Sequence, residues 1–151
     1  MTAYHYHPRI VSFCCHNCIP HAEDTLNSFR ENNFTLHLVK MPCTGKVEIL
    51  YLLKALEEGA DGVMVVGCLE GECHYLEGNI RTKRRVAFAG QMLQEIGFEG
   101  KRVQMYTIDP LKTDQLREII KEMMKIVNEL GPSPLNKTEG SPSQEENAHE
   151  I

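Results

Sequence analysis

Cysteine residues lie in one stretch of this chain, where they form three groups. All six occur between Cys14 and Cys73 of a sequence of 151 residues. The groups are Cys14-Cys15-x-x-Cys18, an isolated Cys43, and Cys68-x₄-Cys73, which His74 follows directly. Because thiolates are strong ligands for soft metals and are also redox-active, this grouping predicts metal or redox chemistry.

Each cysteine group follows a short apolar run that is typical of a β-strand. The runs cover residues 10–13, 35–39 and 62–66, and the third is continuously apolar, as strands buried on both faces are. The carboxyl ends of parallel strands lie at the same edge of a sheet, which is where open α/β sheets bind their ligands. The three cysteine groups are therefore predicted to converge there.

Helical periodicity alternates with the apolar runs. Helices are predicted from Pro20, from Val47 to Leu56, through Val86 to Ile96, and through Leu116 to Leu130, with a fourth strand at 102–108. Asp109-Pro110 resembles the start of the last helix, with an N-cap followed by a proline in the first turn. The alternating order predicts an α/β fold: a single small doubly wound parallel four-stranded sheet, Rossmann or flavodoxin-like, with helices on both faces.

Composition divides the chain into an N-terminal arm (1–8), the α/β domain (9–131) and an acidic tail (132–151) that is predicted to be disordered. A net charge of −5 argues against nucleic-acid binding through phosphate neutralisation. The N-terminus lacks the pattern of a signal peptide, and no apolar run approaches the roughly 20 residues that span a bilayer. We therefore expect a cytoplasmic protein with no membrane partner, in which the thiols stay reduced.

Three kinds of site are compatible with the cysteines. An iron–sulfur cluster is usually held by four cysteine thiolates, and five of these residues lie in loops that suit that role, whereas Cys14 continues a strand and suits packing. Zinc is a second possibility, bound by four of these thiolates or by three and a histidine, since His16, His21 and His74 lie nearby. A third is a dithiol at Cys15-x-x-Cys18, between a strand and a helix.

Several motifs together resemble the delta subunit of methyl-viologen-reducing (F420-non-reducing) hydrogenase. They are Phe13-x-Cys15-x-x-Cys18, Met41-x-Cys43-x-Gly45, Gly59-Ala60-Asp61-Gly62-Val63, Gly67-Cys68-x-x-Gly71-x-Cys73-His74-Tyr75, Gly78-Asn79 and Arg84-Arg85. The resemblance runs from about Arg9 to Leu130. It implies a small electron carrier that holds a [2Fe-2S] cluster, so that the chain is one component of an oxidoreductase complex rather than an enzyme on its own.

The same resemblance implies ligands and partners. Its cysteines match Cys15, Cys18, Cys43, Cys68 and Cys73, which are five candidates for four ligand positions. The strand order favours Cys15, Cys43 and Cys68 as the convergent core, completed by Cys73 or Cys18. The implied partners are the flavin subunit of heterodisulfide reductase and a hydrogenase, a formate dehydrogenase or an enzyme of the methylenetetrahydrofolate reductase type. The basic run Arg81, Lys83, Arg84 and Arg85 is interpreted as a solvated face or as a docking element.

Overall fold

Four strands and three α-helices make up the part of the chain that this computed structural model describes, residues 6–19, 29, 33–69, 77–109, 111–112 and 114–136. The strands are β1 (Arg9–Cys15), β2 (Thr35–Met41), β3 (Gly62–Cys68) and β4 (Val103–Ile108). The helices are α1 (Ile49–Glu57), α2 (Gly78–Glu95) and α3 (Gln115–Leu130). The helix predicted from Pro20 lies outside the described residues, except for Phe29.

All strand pairs are parallel, in the order β2-β1-β3-β4. Phe13 lies opposite Val39 on one side and Val65 on the other, and Val65 in turn lies opposite Met105. All seven residues of β3 are buried, as its continuous apolar sequence predicts. This sheet confirms the predicted α/β doubly wound fold.

Alternate residues of the central strands pack against different helix layers. Phe13, Val63 and Val65 belong to the core under α1 and α2. Ile10 and Met64 belong to the core under α3, whose inward residues are Leu116, Ile119, Ile120, Met123 and Val127. Full burial of each large apolar side chain stabilises the fold by about 1.5–3 kcal/mol. The two layers hold the strand ends in fixed positions, and these ends carry the cysteines.

The predicted start of the last helix is wrong. Asp109 does not cap α3, because its carboxylate accepts a hydrogen bond from the Leu111 amide at 3.0 Å and its carbonyl accepts one from Lys112 at 3.0 Å. These bonds close a turn, and α3 begins only at Gln115, with Asp114 at the N-cap position. The local hydrogen bonding of an Asp side chain favours a turn over a helix start here.

Arg102 and Asp61 join several segments at the amino-terminal end of the sheet. Arg102 is fully buried and donates to the carbonyls of Asp61 at 2.9 Å and Gly131 at 3.1 Å. The Asp61 carboxylate accepts from the Ser133 amide at 2.8 Å and from the Asn136 side chain at 3.1 Å. Residues 133–136, which the sequence assigns to the tail, are thus fastened to the domain, whereas 137–151 lie outside the described residues. The boundary between domain and tail stays a prediction.

Membrane-spanning helices are not found within the described ranges, where no helix combines sufficient length with sufficient apolar character.

Candidate metal centre

Three cysteine thiols meet at the carboxyl edge of the sheet. Cys15 is the last residue of β1 and Cys68 is the last residue of the neighbouring strand β3. The Cys68 Sγ lies 3.7 Å from the Cys15 Sγ and 2.8 Å from the Cys18 Sγ. All three residues are buried and all three sulfurs lie within 4.8 Å of one another. No other group of His, Cys, Asp or Glu in the described part of the chain has this arrangement.

Strand pairing and one tight turn bring these thiols together. Cys14 is opposite Val66 in the β1–β3 register, so the ends of the two strands lie side by side. The backbone then turns, and the Cys18 amide donates a hydrogen bond to the Cys15 carbonyl at 3.0 Å. The His16 amide donates to the carbonyl of Met41, the last residue of β2, at 2.9 Å. This turn returns Cys18 to the end of β3.

Asn79, in the first turn of α2, holds the backbone that carries Cys68. Its side chain is buried, and Nδ2 donates to the carbonyls of Cys68 at 3.0 Å and Leu69 at 2.9 Å. The Oδ1 atom accepts from the Ile80 amide at 2.9 Å. The sequence motif contains Asn79, but sequence reasoning gave it no role. An Asn beside a Gly at a helix start was the available signal, since such residues favour helix N-termini.

Cys43 lies in the loop beside this group, but its thiol is not one of the three that meet. The residue is buried, and its Sγ accepts from the Gly45 amide at 3.3 Å, at the start of a 3₁₀ turn over Thr44–Lys46. The Cys15 Sγ lies 3.9 Å from the carbonyl of Pro42, which precedes Cys43. The loop that carries Cys43 therefore borders the thiol group directly.

Two side chains from α2 hold this loop. Thr82 Oγ1 donates to the Thr44 carbonyl at 2.6 Å, and Arg85 Nη1 donates to the carbonyls of Gly45 at 2.7 Å and Val47 at 2.9 Å. Gly45 also approaches the helix start so closely that a Cβ atom would lie 2.9 Å from the Gly78 Cα. The basic run thus includes one residue, Arg85, with a clear structural role.

The remaining candidate residues have different positions. Cys14 is fully buried in β1, and its Sγ lies 3.0 Å from the Ser12 Oγ; burial raises the pKa of its thiol to about 11. This placement agrees with the interpretation of Cys14 as a packing residue. His16 is exposed. Cys73, His74 and His21 lie outside the described residues, so their predicted roles stay predictions.

Burial also governs the protonation of the thiol group. It raises the pKa of the Cys18 thiol well above the ordinary range, and the hydrogen bond with Cys68 raises it further. In the metal-free protein, Cys18 therefore stays protonated at neutral pH.

The donor set fits a soft metal. Metal–sulfur bonds of about 2.3 Å in a tetrahedral site place neighbouring sulfurs roughly 3.8 Å apart. The 3.7 Å between Cys15 and Cys68 matches that value, whereas Cys18 and Cys68, at 2.8 Å, must separate by about 1 Å to reach it. The described residues thus bring together three thiols, and an iron–sulfur cluster is usually held by four cysteine thiolates. Cys43 and Cys73 are the remaining candidates for the fourth.

Comparisons with known proteins identify the family of this chain. Residues 10–131 match the family model described as methyl-viologen-reducing hydrogenase, delta subunit. The vhu iron-sulfur subunit of the F420-non-reducing hydrogenase of Methanocaldococcus jannaschii is 41% identical over 129 residues, which cover 85% of this chain and 96% of that protein. The protein of the same name from Methanopyrus kandleri is 38% identical over 124 residues, covering 82% and 94%.

A longer relative contains a similar segment. One subunit of the ferredoxin/F420H2-dependent CoB-CoM heterodisulfide reductase of Methanosarcina acetivorans is 33% identical over 126 residues. The alignment covers 83% of this chain but 16% of that protein. A unit of this kind thus also occurs as a small part of a much larger polypeptide.

Proposed function

This chain belongs to the delta-subunit family of methyl-viologen-reducing hydrogenase, and from that membership we propose that it is an electron-transfer subunit carrying one [2Fe-2S] cluster. The observation that carries the proposal is the meeting of three buried thiols, those of Cys15, Cys18 and Cys68, at one edge of the sheet. A bound iron–sulfur cluster supplies one-electron redox chemistry at that edge.

The chain's own residues bind and shield this position. Cys15, Cys18 and Cys68 supply three thiolates in our proposal, and Cys43 or Cys73 supplies the fourth. Asn79 fixes the Cys68 backbone, and burial of the thiols excludes water from the sulfurs. His16 and Asn17, between two of the ligands, are exposed, so the site lies just beneath the surface. A shallow site suits electron exchange with a neighbouring protein.

The proposed partners are a hydrogenase and the flavin subunit of a heterodisulfide-reductase-like complex, with electrons passing between them through this chain. Relatives named as F420-non-reducing hydrogenase subunits support the first partner. The similar segment within a heterodisulfide reductase polypeptide supports the second, because there the unit is covalently joined to that enzyme. A formate dehydrogenase or an enzyme of the methylenetetrahydrofolate reductase type is an alternative electron donor or acceptor in the same arrangement.

Anaerobic purification tests the cofactor. We expect a coloured protein with about two irons and two sulfides per chain, bleached by dithionite. About four irons per chain would contradict the [2Fe-2S] type, and a colourless protein with stoichiometric zinc would indicate a zinc-stabilised interaction module. A metal-free protein whose activity is abolished by Cys15→Ser would indicate a dithiol oxidoreductase.

Single Cys→Ser variants test the ligands. Cys15→Ser, Cys18→Ser and Cys68→Ser should each lose iron or change the EPR spectrum of the reduced protein, because each removes a thiolate. Between Cys43→Ser and Cys73→Ser, only one should do so. Cys14→Ser is the matched control and should keep wild-type iron content and EPR. An unchanged spectrum for Cys68→Ser would refute the assignment.

A reconstitution assay tests the electron path. Hydrogenase under H₂ should reduce the flavin subunit of heterodisulfide reductase only when this chain is present. Flavin absorbance reports the transfer. Equal rates with and without this chain would contradict the proposed relay.

A further inference from the structure

The two helix layers expose different amounts of apolar surface. Eight large hydrophobic residues are exposed in the described part of the chain, and none belongs to α3. Six lie in α1 or α2 or directly after α2: Leu50, Tyr51, Ile80, Phe88, Met92 and Ile96. Apolar residues clustered on one face, rather than scattered singly, are typical of a protein–protein contact.

Four exposed residues of α2 form a regular row, which we call the α2 ridge: Ile80, Arg84, Phe88 and Met92. Ile80 is 36% exposed, Phe88 is 52% exposed and Met92 is 36% exposed. They are spaced four residues apart, and rows with this spacing are the ridges that fit into the grooves of a second helix in the commonest class of helix packing. The ridge therefore has the form of a helix-packing surface without a described partner helix.

Charge indicates the kind of partner. Between Gly78 and Gln94, α2 contains four basic residues and no acidic residue, whereas α3 contains three of each sign. Arg85 binds loop carbonyls and Arg81 lies 3.8 Å from Glu77, but Arg84 is exposed on the ridge itself. Arg81 is spaced three residues from Arg84 and four from Arg85, and like charges at these spacings on a helix repel one another, which a carboxylate partner would offset. A partner for the ridge is thus expected to be apolar with acidic residues opposite Arg84.

The ridge begins beside the thiol group. The Ile80 amide donates to the Asn79 Oδ1, and the Asn79 amide group donates to the Cys68 carbonyl. A partner seated on the first turns of α2 therefore lies next to the carboxyl edge of the sheet. This is the position that an electron-exchange partner must occupy.

We propose that the α2 ridge docks an apolar helix of the flavin subunit of heterodisulfide reductase, and that this helix carries carboxylates opposite Arg84. This inference rests on the proposed function, which supplies the partner, and adds the surface and the chemistry of contact. The relative in which a similar segment is 16% of a heterodisulfide reductase polypeptide supports a lasting contact between this unit and that enzyme. A second copy of this chain fits less well, because a two-fold contact would bring the basic ridges together.

Binding of the purified flavin subunit to the cluster-loaded chain tests the inference. Phe88→Ser should raise the dissociation constant at least about tenfold, since exposed aromatic residues at interface centres are common binding hot spots. Arg84→Glu should weaken binding further through like-charge repulsion, and binding of the wild type should weaken as salt is added. Both substituted residues are exposed, so thermal unfolding, iron content and EPR should stay as in the wild type.

Matched controls lie elsewhere on the surface. Leu135→Ser replaces another exposed apolar residue and Lys125→Glu reverses another exposed charge, and both should bind like the wild type. Unchanged binding of the ridge variants, with wild-type binding intact, would overturn this inference and leave the proposed function standing. No wild-type binding to the flavin subunit would refute the proposed partner as well. A wild-type homodimer abolished by Phe88→Ser would identify a second copy as the occupant and overturn the inference.

Discussion

Cys14 and Cys15 are consecutive residues of β1 with different surroundings. The Cys14 thiol is fully buried beside the Ser12 hydroxyl, whereas the Cys15 sulfur lies 3.7 Å from that of Cys68. Both residues belong to the core on the α3 side of the sheet, so they differ in the groups beside their sulfurs rather than in the core they join. At this scale, the chemistry of a cysteine depends on its register position and on the polar groups that hold its backbone.

Asn79→Ala tests the backbone support of the site. The change leaves the carbonyls of Cys68 and Leu69 without their side-chain donor, and each unpaired buried carbonyl costs about 1–3 kcal/mol. We expect a lower free energy of unfolding and faster release of iron to a chelator. Thermal unfolding and the rate of iron loss from the loaded protein measure the two effects.

Asn79→Asp separates the donor role from the acceptor role. An aspartate keeps an acceptor for the Ile80 amide but cannot donate to the Cys68 carbonyl. Its iron release should therefore be as fast as that of the alanine variant or faster. Wild-type iron retention in Asn79→Asp would show that donation to Cys68 is not required. Asn128→Ala, at an exposed position of α3, is the control and should leave both measurements unchanged.

Much of the site follows from sequence patterns, because apolar runs reveal strand ends and parallel topology brings those ends together. This reasoning anticipates the approach of Cys15 to Cys68. It favours Cys43 over Cys18 as their neighbour, whereas in the structure it is the Cys18 thiol that meets them, because the choice depends on the hydrogen bonding of two loops. The Cys15–Cys18 turn directs one thiol toward Cys68, while the Cys43 thiol accepts from the Gly45 amide. Such short-range backbone geometry leaves no periodic signal in the sequence.

At the scale of elements, α2 starts earlier than its apolar pattern predicts. The helix begins at Gly78, although its periodicity is evident only from Val86. Its first turns use buried polar residues instead, since Asn79 and Thr82 bond to carbonyls of the strand-end loops. Apolar periodicity does not detect helix turns whose inward residues are polar. The same polar residues connect α2 to the site.

Arg85→Ala tests whether α2 holds the Cys43 loop. The substitution removes hydrogen bonds to the carbonyls of Gly45 and Val47, with an expected loss of about 2 kcal/mol in the free energy of unfolding. Hydrogen exchange at the Val47 amide should become faster, because the 3₁₀ turn loses its anchor. Chemical denaturation and amide exchange measure these changes. Arg84→Ala, at the neighbouring exposed position, should change neither, and an equal loss there would exclude a specific role for Arg85.

For the whole molecule, the thiol group and the contacts of Arg102 and Asp61 lie at opposite ends of one sheet. The thiols lie at the carboxyl ends of β1 and β3, while Arg102 and Asp61 join the chain segments near the amino ends of β3 and β4. The alternation of strands and helices was enough to predict the architecture. It did not predict the burial of Arg102. A charged residue before a strand is normally exposed, and only the convergence of several carbonyls on the Arg102 guanidinium explains its burial.

Arg102→Met tests whether the thiol group is independent of the Arg102 contacts at the opposite end of the sheet. The guanidinium is fully buried and donates to the Glu99 carboxylate and to the carbonyls of Asp61 and Gly131, so its removal leaves several buried acceptors unpaired. Loss of such a buried charged partner costs about 3–5 kcal/mol, which denaturant unfolding measures directly. Iron content and EPR of the folded fraction should stay at wild-type values, because none of the described hydrogen bonds of Arg102 involves a described thiol-bearing residue.

Lys101→Met is the matched control for Arg102→Met, since it makes the same change at an exposed neighbouring residue and should leave stability within about 0.5 kcal/mol of the wild type. An altered EPR spectrum in folded Arg102→Met would show that the two ends are coupled through β3. In that case Arg102 would influence the electronic properties of the bound cluster as well as stabilise the fold. An unchanged spectrum, together with the stability loss, would assign Arg102 to folding alone.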